Sequence, residues 1–164
     1  MSIAFSSQEL LNIAIGIEQR GISFYDIMAK STDNDEARTI FEALVEMERV
    51  HLETFQNIKL SLDESQTSTT SSDEDSSYLA ALIENAVFSD DLITSEMATE
   101  ADSDIKAIEL GINAEKDSIL FYYEMKDIVP DNLLPVINGI IAEEKSHLRQ
   151  LSIAKKNLTL SNNA

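Results

Sequence analysis

Two stretches of this 164-residue chain repeat one another, and the repeat includes polar residues that packing alone does not need. Displaced by 97 residues, Ile13 falls on Leu110, Ile15 on Ile112 and Glu18 on Glu115. The same shift places Ile22 on Ile119, Phe24-Tyr25 on Phe121-Tyr122 and Met28 on Met125. Displaced by 96, Leu44-Val45 falls on Ile140-Ile141, Glu48 on Glu144, Arg49 on Lys145, His51-Leu52 on His147-Leu148 and Lys59 on Lys155. A repeat of this length, with apolar residues at helical spacing, confines the chain to two similar helical hairpins.

Each hairpin can be read in more detail. Ser6 and Glu9 form a capping box, in which each side chain satisfies the other's free amide. Leu10, Ile13, Ile17, Phe24 and Met28 then make an amphipathic stripe to about Lys30. A polar break at residues 31–35 offers caps for a second stripe through Ile40, Leu44, Met47, His51 and Phe55. Residues 106–129 predict a third helix ended by Pro130, and Asp131 or Asn132 is the expected cap of a fourth that tolerates Pro135 in its first turn. Helical hairpins at 6–60 and 104–158 flank a crossover in one domain spanning 1–164. Residues 61–77 hold ten Ser/Thr and five Asp/Glu, the composition of a flexible linker. Residues 78–88 have helical spacing and read as a short helix. The expected fold is all-α, a four-helix bundle with one long crossover containing that short helix.

Composition narrows the function. There is no cysteine, so disulfides, thiolate metal sites and thiol nucleophiles are excluded. Thirty acids against twelve bases, a net charge of −18, disfavour nucleic acid and anionic membrane surfaces as partners. No apolar run reaches the ~20 residues of a membrane span, and the N-terminus lacks the pattern of a signal peptide, so the expected location is the cytoplasm.

The chemistry lies in the repeat. Glu48 and His51 are three apart on one helix face, as are Glu144 and His147. With 17 glutamates in the chain, both of its only two histidines would carry such a partner by chance about one time in a hundred. Counted from turns near Thr32 and Pro130, Glu18, Glu48, Glu115 and Glu144 lie 14 to 16 residues away. At about 1.5 Å per residue they share one level of the bundle to within about 3 Å. Four carboxylates meeting in a bundle core repel one another and lose solvation unless cations join them, and two divalent metals would resolve that cost. Glu18, Glu48, His51, Glu115, Glu144 and His147 are therefore the candidate metal ligands. Tyr25 and Tyr122 follow Glu18 and Glu115 by seven residues on the same faces, placed for their hydroxyls to donate to ligand carboxylates. Phe24, Phe121, Met28 and Met125 read as core. Glu109, Glu124 and Glu143 read as solvated helix surface, and Gly111 and Gly139 as possible points of close helix contact.

A Glu on helices one and three with Glu-x-x-His on helices two and four resembles the ferritin-like di-iron carboxylate proteins. Glu18 with Phe24-Tyr25, and the run Glu144-Lys145-Ser146-His147-Leu148, are most similar to the rubrerythrin branch. The resemblance implies that Glu48 and Glu144 bridge two iron ions, with Glu18 and His51 completing one and Glu115 and His147 the other as terminal ligands. Manganese or zinc also suits such donors. It further implies an oxidoreductase that reduces peroxide or dioxygen, and by analogy a homodimer. Two departures stand out. The chain lacks the four cysteines of a rubredoxin-like domain, so electrons would come from a separate donor protein. Where rubrerythrins usually place an extra carboxylate, one turn beyond the third-helix Glu, this chain has Ser118. A ferroxidase or iron-handling role, or a non-enzymatic metal-stabilised scaffold, are the alternative expectations.

Overall fold

A computed structural model describes residues 5–62, 73–86 and 103–163. Five α-helices are present among them: α1 (Ser7–Ser31), α2 (Asp35–Ser61), α3 (Asp73–Glu84), α4 (Asp104–Met125) and α5 (Leu134–Asn162). No strand occurs among the described residues. The helix starts follow the local chemistry. Ser6 accepts from the Glu9 amide while the Glu9 carboxylate accepts from the Ser6 amide, the capping box expected from sequence. Asn34 caps α2 by accepting from the Ala37 amide, and Ser103 caps α4 by accepting from the Lys106 amide.

The fourth helix of the bundle departs from expectation at its start. The preceding helix, α4, stops at Met125 rather than at 129, and residues 126–129 form overlapping turns back onto Tyr123, Glu124 and Met125. The residue before a proline is driven out of the α region, and the chain must reverse here, so Pro130 shortens the helix from beyond its end. Neither Asp131 nor Asn132 caps α5. Both lie in a 3₁₀ turn, Asp131–Leu133, and Pro135 sits in the first turn of α5, where its missing amide does no harm. The crossover helix also differs. It begins at Asp73, five residues before the expected 78 and inside the stretch read as linker. Residues 63–72 and 87–88 of the expected linker and short helix lie outside the described residues.

The hairpins α1–α2 and α4–α5 are the principal packing units, and they join through α1 against α4 and α2 against α5. Ser7 Oγ donates to the Ile128 carbonyl at 3.1 Å, and at the opposite end Thr32 Oγ1 donates to Asp104 Oδ1, so α1 and α4 run antiparallel and are tied at both ends. The core divides into two apolar clusters. One gathers Phe24, Tyr25, Met28, Phe41, Leu44, Ile108 and Leu151, and the other Leu10, Leu11, Phe55, Phe121, Tyr122, Met125, Ile137 and Ile141. Helix α3 lies on α4 and adds Leu79 to the second cluster. Between the clusters the helices present their acidic residues inward. Among the described residues no helix is long and apolar enough to cross a membrane.

Helix α2 braces both halves. Phe41 stacks on Tyr25 with ring centroids 6.2 Å apart, and Phe55 tilts against Tyr122 at 5.2 Å. Phe55 is fully buried. Phe55→Ala is expected to destabilise the metal-free protein by about 3–5 kcal/mol through lost burial and an unfilled cavity, checked by the urea midpoint with the helical circular-dichroism signal as the readout.

Candidate metal centre

All six candidate ligands meet between the two apolar clusters. Glu18, Glu48, His51, Glu115, Glu144 and His147 are each at most 4% exposed. Glu18, Glu48, His51 and Glu144 offer ligand atoms within 4.8 Å of one another, and so do Glu48, Glu115, Glu144 and His147. The grouping matches the pairing that the resemblance implies: Glu18 falls with His51 and Glu115 with His147.

The two shared carboxylates divide their oxygens. Glu144 turns Oε1 to His51 Nδ1 at 3.2 Å and Oε2 to His147 Nδ1 at 3.1 Å. Glu48 turns Oε2 to His51 Nδ1 and Oε1 to His147 Nδ1, each at 3.4 Å. Glu18 Oε2 and Glu115 Oε2 stand off from the same nitrogens by 3.7 and 3.8 Å. Both imidazoles therefore aim Nδ1 at the carboxylates, with ring centroids 5.6 Å apart. His51 Nδ1 is buried and makes no hydrogen bond, as a nitrogen meant for a metal would be. A set of four carboxylates and two imidazoles, with no thiolate, fits hard or borderline divalent cations.

The tyrosines act across the hairpins. The Tyr25 hydroxyl on α1 donates to Glu115 Oε1 on α4, and the Tyr122 hydroxyl on α4 donates to Glu18 Oε1 on α1. Each thereby occupies one oxygen of a terminal carboxylate and leaves Oε2 facing the centre. Sequence spacing put each tyrosine on the face of its own helix's glutamate, but the antiparallel crossing hands its hydroxyl to the other. Gly111 makes this possible. A Cβ there would meet the Tyr25 ring at 3.2 Å and its hydroxyl at 3.4 Å, so glycine lets the phenol sit closer than a side chain would without the ring giving way by a few tenths of an ångström. Gly139 has nothing within 4 Å of such an atom and marks no close contact.

Other acidic residues sort cleanly. Glu109 pairs at the surface with Lys155 at 2.9 Å. Glu143, read from sequence as solvated surface, has a half-exposed side chain that nevertheless reaches His51 Nε2 at 2.6 Å. Its one-residue offset from Glu144 carried no signal of this, because the contact is made to another helix. Ser118 is buried and lines a cavity of about 10 Å³ beside Glu18, Glu48 and Glu115, together with Gly21 and Ala114. That is room on the scale of one water molecule.

Electrostatics without metal show how much cationic charge the site wants. Burial, reinforced by the charge of Glu48, pushes the Glu18 carboxyl well above its usual range, and burial with the charge of Glu144 does the same to Glu115. Burial likewise raises both tyrosine hydroxyls. The histidines go up as well. Burial pulls His147 down, but its bonds to Glu115, Glu144 and Glu48 outweigh it and hold the imidazole at about 12; His51 is raised by Glu144, Glu18 and Glu48 in the same way. Glu48 and Glu144 are held low against burial chiefly by bonds to neighbouring side chains, the two imidazoles among them. The carboxylates around them thus favour the cationic form of both imidazoles.

Four helices carrying Glu, Glu-x-x-His, Glu and Glu-x-x-His around one buried centre define the class of ferritin-like carboxylate bundles. Comparison with known proteins narrows the class. The rubrerythrin family profile matches residues 9–155, and the chain belongs to that family. A protein of Thermotoga maritima assigned to the ferritin-like diiron-carboxylate class is similar in crystal structure over 95% of this chain and 98% of that one, at 26% identity and a TM-score of 0.75. No curated protein matches at a significant level. The family and the buried Glu/His cluster together make this a protein of the di-iron carboxylate class.

Two outcomes follow. Tyr25→Phe strips Glu115 of a buried donor and is expected to lower apo stability by about 1–3 kcal/mol, measured by chemical denaturation. Because the raised imidazoles must shed protons before Nδ1 can hold a metal, uptake is expected to release protons and to tighten as pH rises towards their raised values. Calorimetric titration of divalent metal in two buffers of different ionisation enthalpy checks this, since a heat independent of the buffer would contradict it.

Proposed function

We propose that the chain is a non-haem di-iron oxidoreductase that reduces peroxide or dioxygen with electrons from a separate donor protein. The observation that carries this is the split of Glu48 and Glu144, each with one oxygen towards either histidine. Glu18 and His51 would hold one ion, Glu115 and His147 the other, and Glu48 and Glu144 both. Two ferrous ions so held supply the two electrons that reduction of one peroxide consumes.

The protein's own part is to hold and to exclude. Tyr25 and Tyr122 fix the terminal carboxylates so that one oxygen of each stays directed inward. The apolar clusters above and below keep bulk water from the buried charges. The small residues Gly21, Ala114 and Ser118 leave a cavity beside the carboxylates on the scale of one water molecule. These 164 residues hold no cysteine and so no thiolate electron carrier, which supports a separate donor.

Anaerobic ferrous protein mixed with one equivalent of hydrogen peroxide is expected to oxidise both irons faster than it does with dioxygen, followed by stopped-flow absorbance. Faster oxidation by dioxygen would favour ferroxidase chemistry instead. No oxidation by either would leave a metal-stabilised scaffold. Glu144→Ala, which removes one shared carboxylate, is expected to abolish the two-iron stoichiometry in metal analysis.

A further inference from the structure

Among the positions where the internal repeat breaks beside the centre, one faces a histidine of the site. The 96-residue shift that lays Glu48 and His51 on Glu144 and His147 lays Met47 on Glu143. On one side, Glu143 reaches from α5 to Nε2 of His51 at 2.6 Å. On the other side the matching position is a thioether, and Nε2 of His147 is buried with no hydrogen-bond partner. The outer nitrogen of His51 thus has a partner and that of His147 has none, while Nδ1 of both rings faces the central carboxylates.

We propose that Glu143 makes the two halves of the centre unequal, so that Glu18, Glu48, His51 and Glu144 take up the first divalent cation and Glu48, Glu115, Glu144 and His147 the second, more weakly. The inference rests on the dinuclear reading above and adds an order of filling to it. The physics lies in the outward nitrogen. A neutral imidazole that offers the Nδ1 lone pair to a metal must carry its proton on Nε2. At His51 that N–H donates to the Glu143 carboxylate, which selects the tautomer, fixes the ring and raises the donor strength of Nδ1. At His147 the same tautomer leaves a buried N–H unpartnered, and the other tautomer turns the proton towards the metal position. Both halves share Glu48 and Glu144, so their carboxylate donors differ little. Glu143 and Met47 set the outer nitrogens of the two histidines apart. Glu143 acts through His51 and is a positioning residue, not a ligand.

The test is a stepwise titration of the metal-free full chain with cobalt(II), read by the visible ligand-field absorption. Histidine ring N–H signals, shifted by the paramagnetic ion, identify which half fills. Two separable steps are expected, the first shifting the His51 ring proton. Glu143→Gln, at a half-exposed side chain, is expected to weaken that first step by about 10–100-fold and leave the second in place. Met47→Glu, which supplies the missing partner, is expected to strengthen the second step and leave the first. Equal steps that Glu143→Gln does not move, or a loss shared equally by both steps, would overturn the proposal while leaving the dinuclear reading intact. A wild-type chain that takes up fewer than two ions would overturn both.

Discussion

Four glutamates in the middle of a helical bundle are the constraint on which the rest of this molecule depends. Isolated there, each carboxylate would lose its hydration and face the repulsion of its neighbours. The fold answers in three ways. It brings two imidazoles among the carboxylates, gives two of the carboxylates a buried phenol as donor, and leaves the remaining oxygens directed at positions only cations would satisfy. The apolar core is accordingly divided, with one cluster on each side of the polar belt. The stability of the bundle and the readiness of the site to bind metal are therefore opposed: the same groups that strain the metal-free core are those that a metal would relieve.

The crossed tyrosines give the arrangement its cohesion. Neither hairpin can satisfy its own terminal carboxylate, since Glu18 on α1 depends on Tyr122 of α4 and Glu115 on α4 depends on Tyr25 of α1. Packing on α2, through Phe41 behind Tyr25 and Phe55 behind Tyr122, holds both phenols in place. Gly111 admits one of them against the opposing helix. The site is thus a property of the joined hairpins. The chain's acidity has a different origin. Residues 60–105 carry twelve acids and no base, well away in sequence from the four carboxylates that meet in the core.

Much of this was legible in advance because helices turn sequence spacing into spatial register. Glu48 and His51 share a face at three residues apart, and equal distances from two turns bring four glutamates to one height, so the six residues and their convergence follow from counting. Capping by Ser6 and Glu9 was equally readable, being entirely local. Less local features were misjudged. The end of α4 and the start of α5 depend on how the chain reverses around Pro130, and α3 starts inside a stretch that composition alone assigns to a linker.

Sequence by itself thus determined the helical hairpins, their duplication, the level at which charge is buried and the need for cations there, because each of these follows from periodicity within a helix. Tertiary structure alone decided which hydroxyl serves which glutamate, and that Glu143 rather than any residue near His51 in sequence holds the outer nitrogen of that ring. Those are contacts between helices, and the rotation of one helix about its axis relative to another is set by packing across the whole bundle, which no spacing within a single helix encodes.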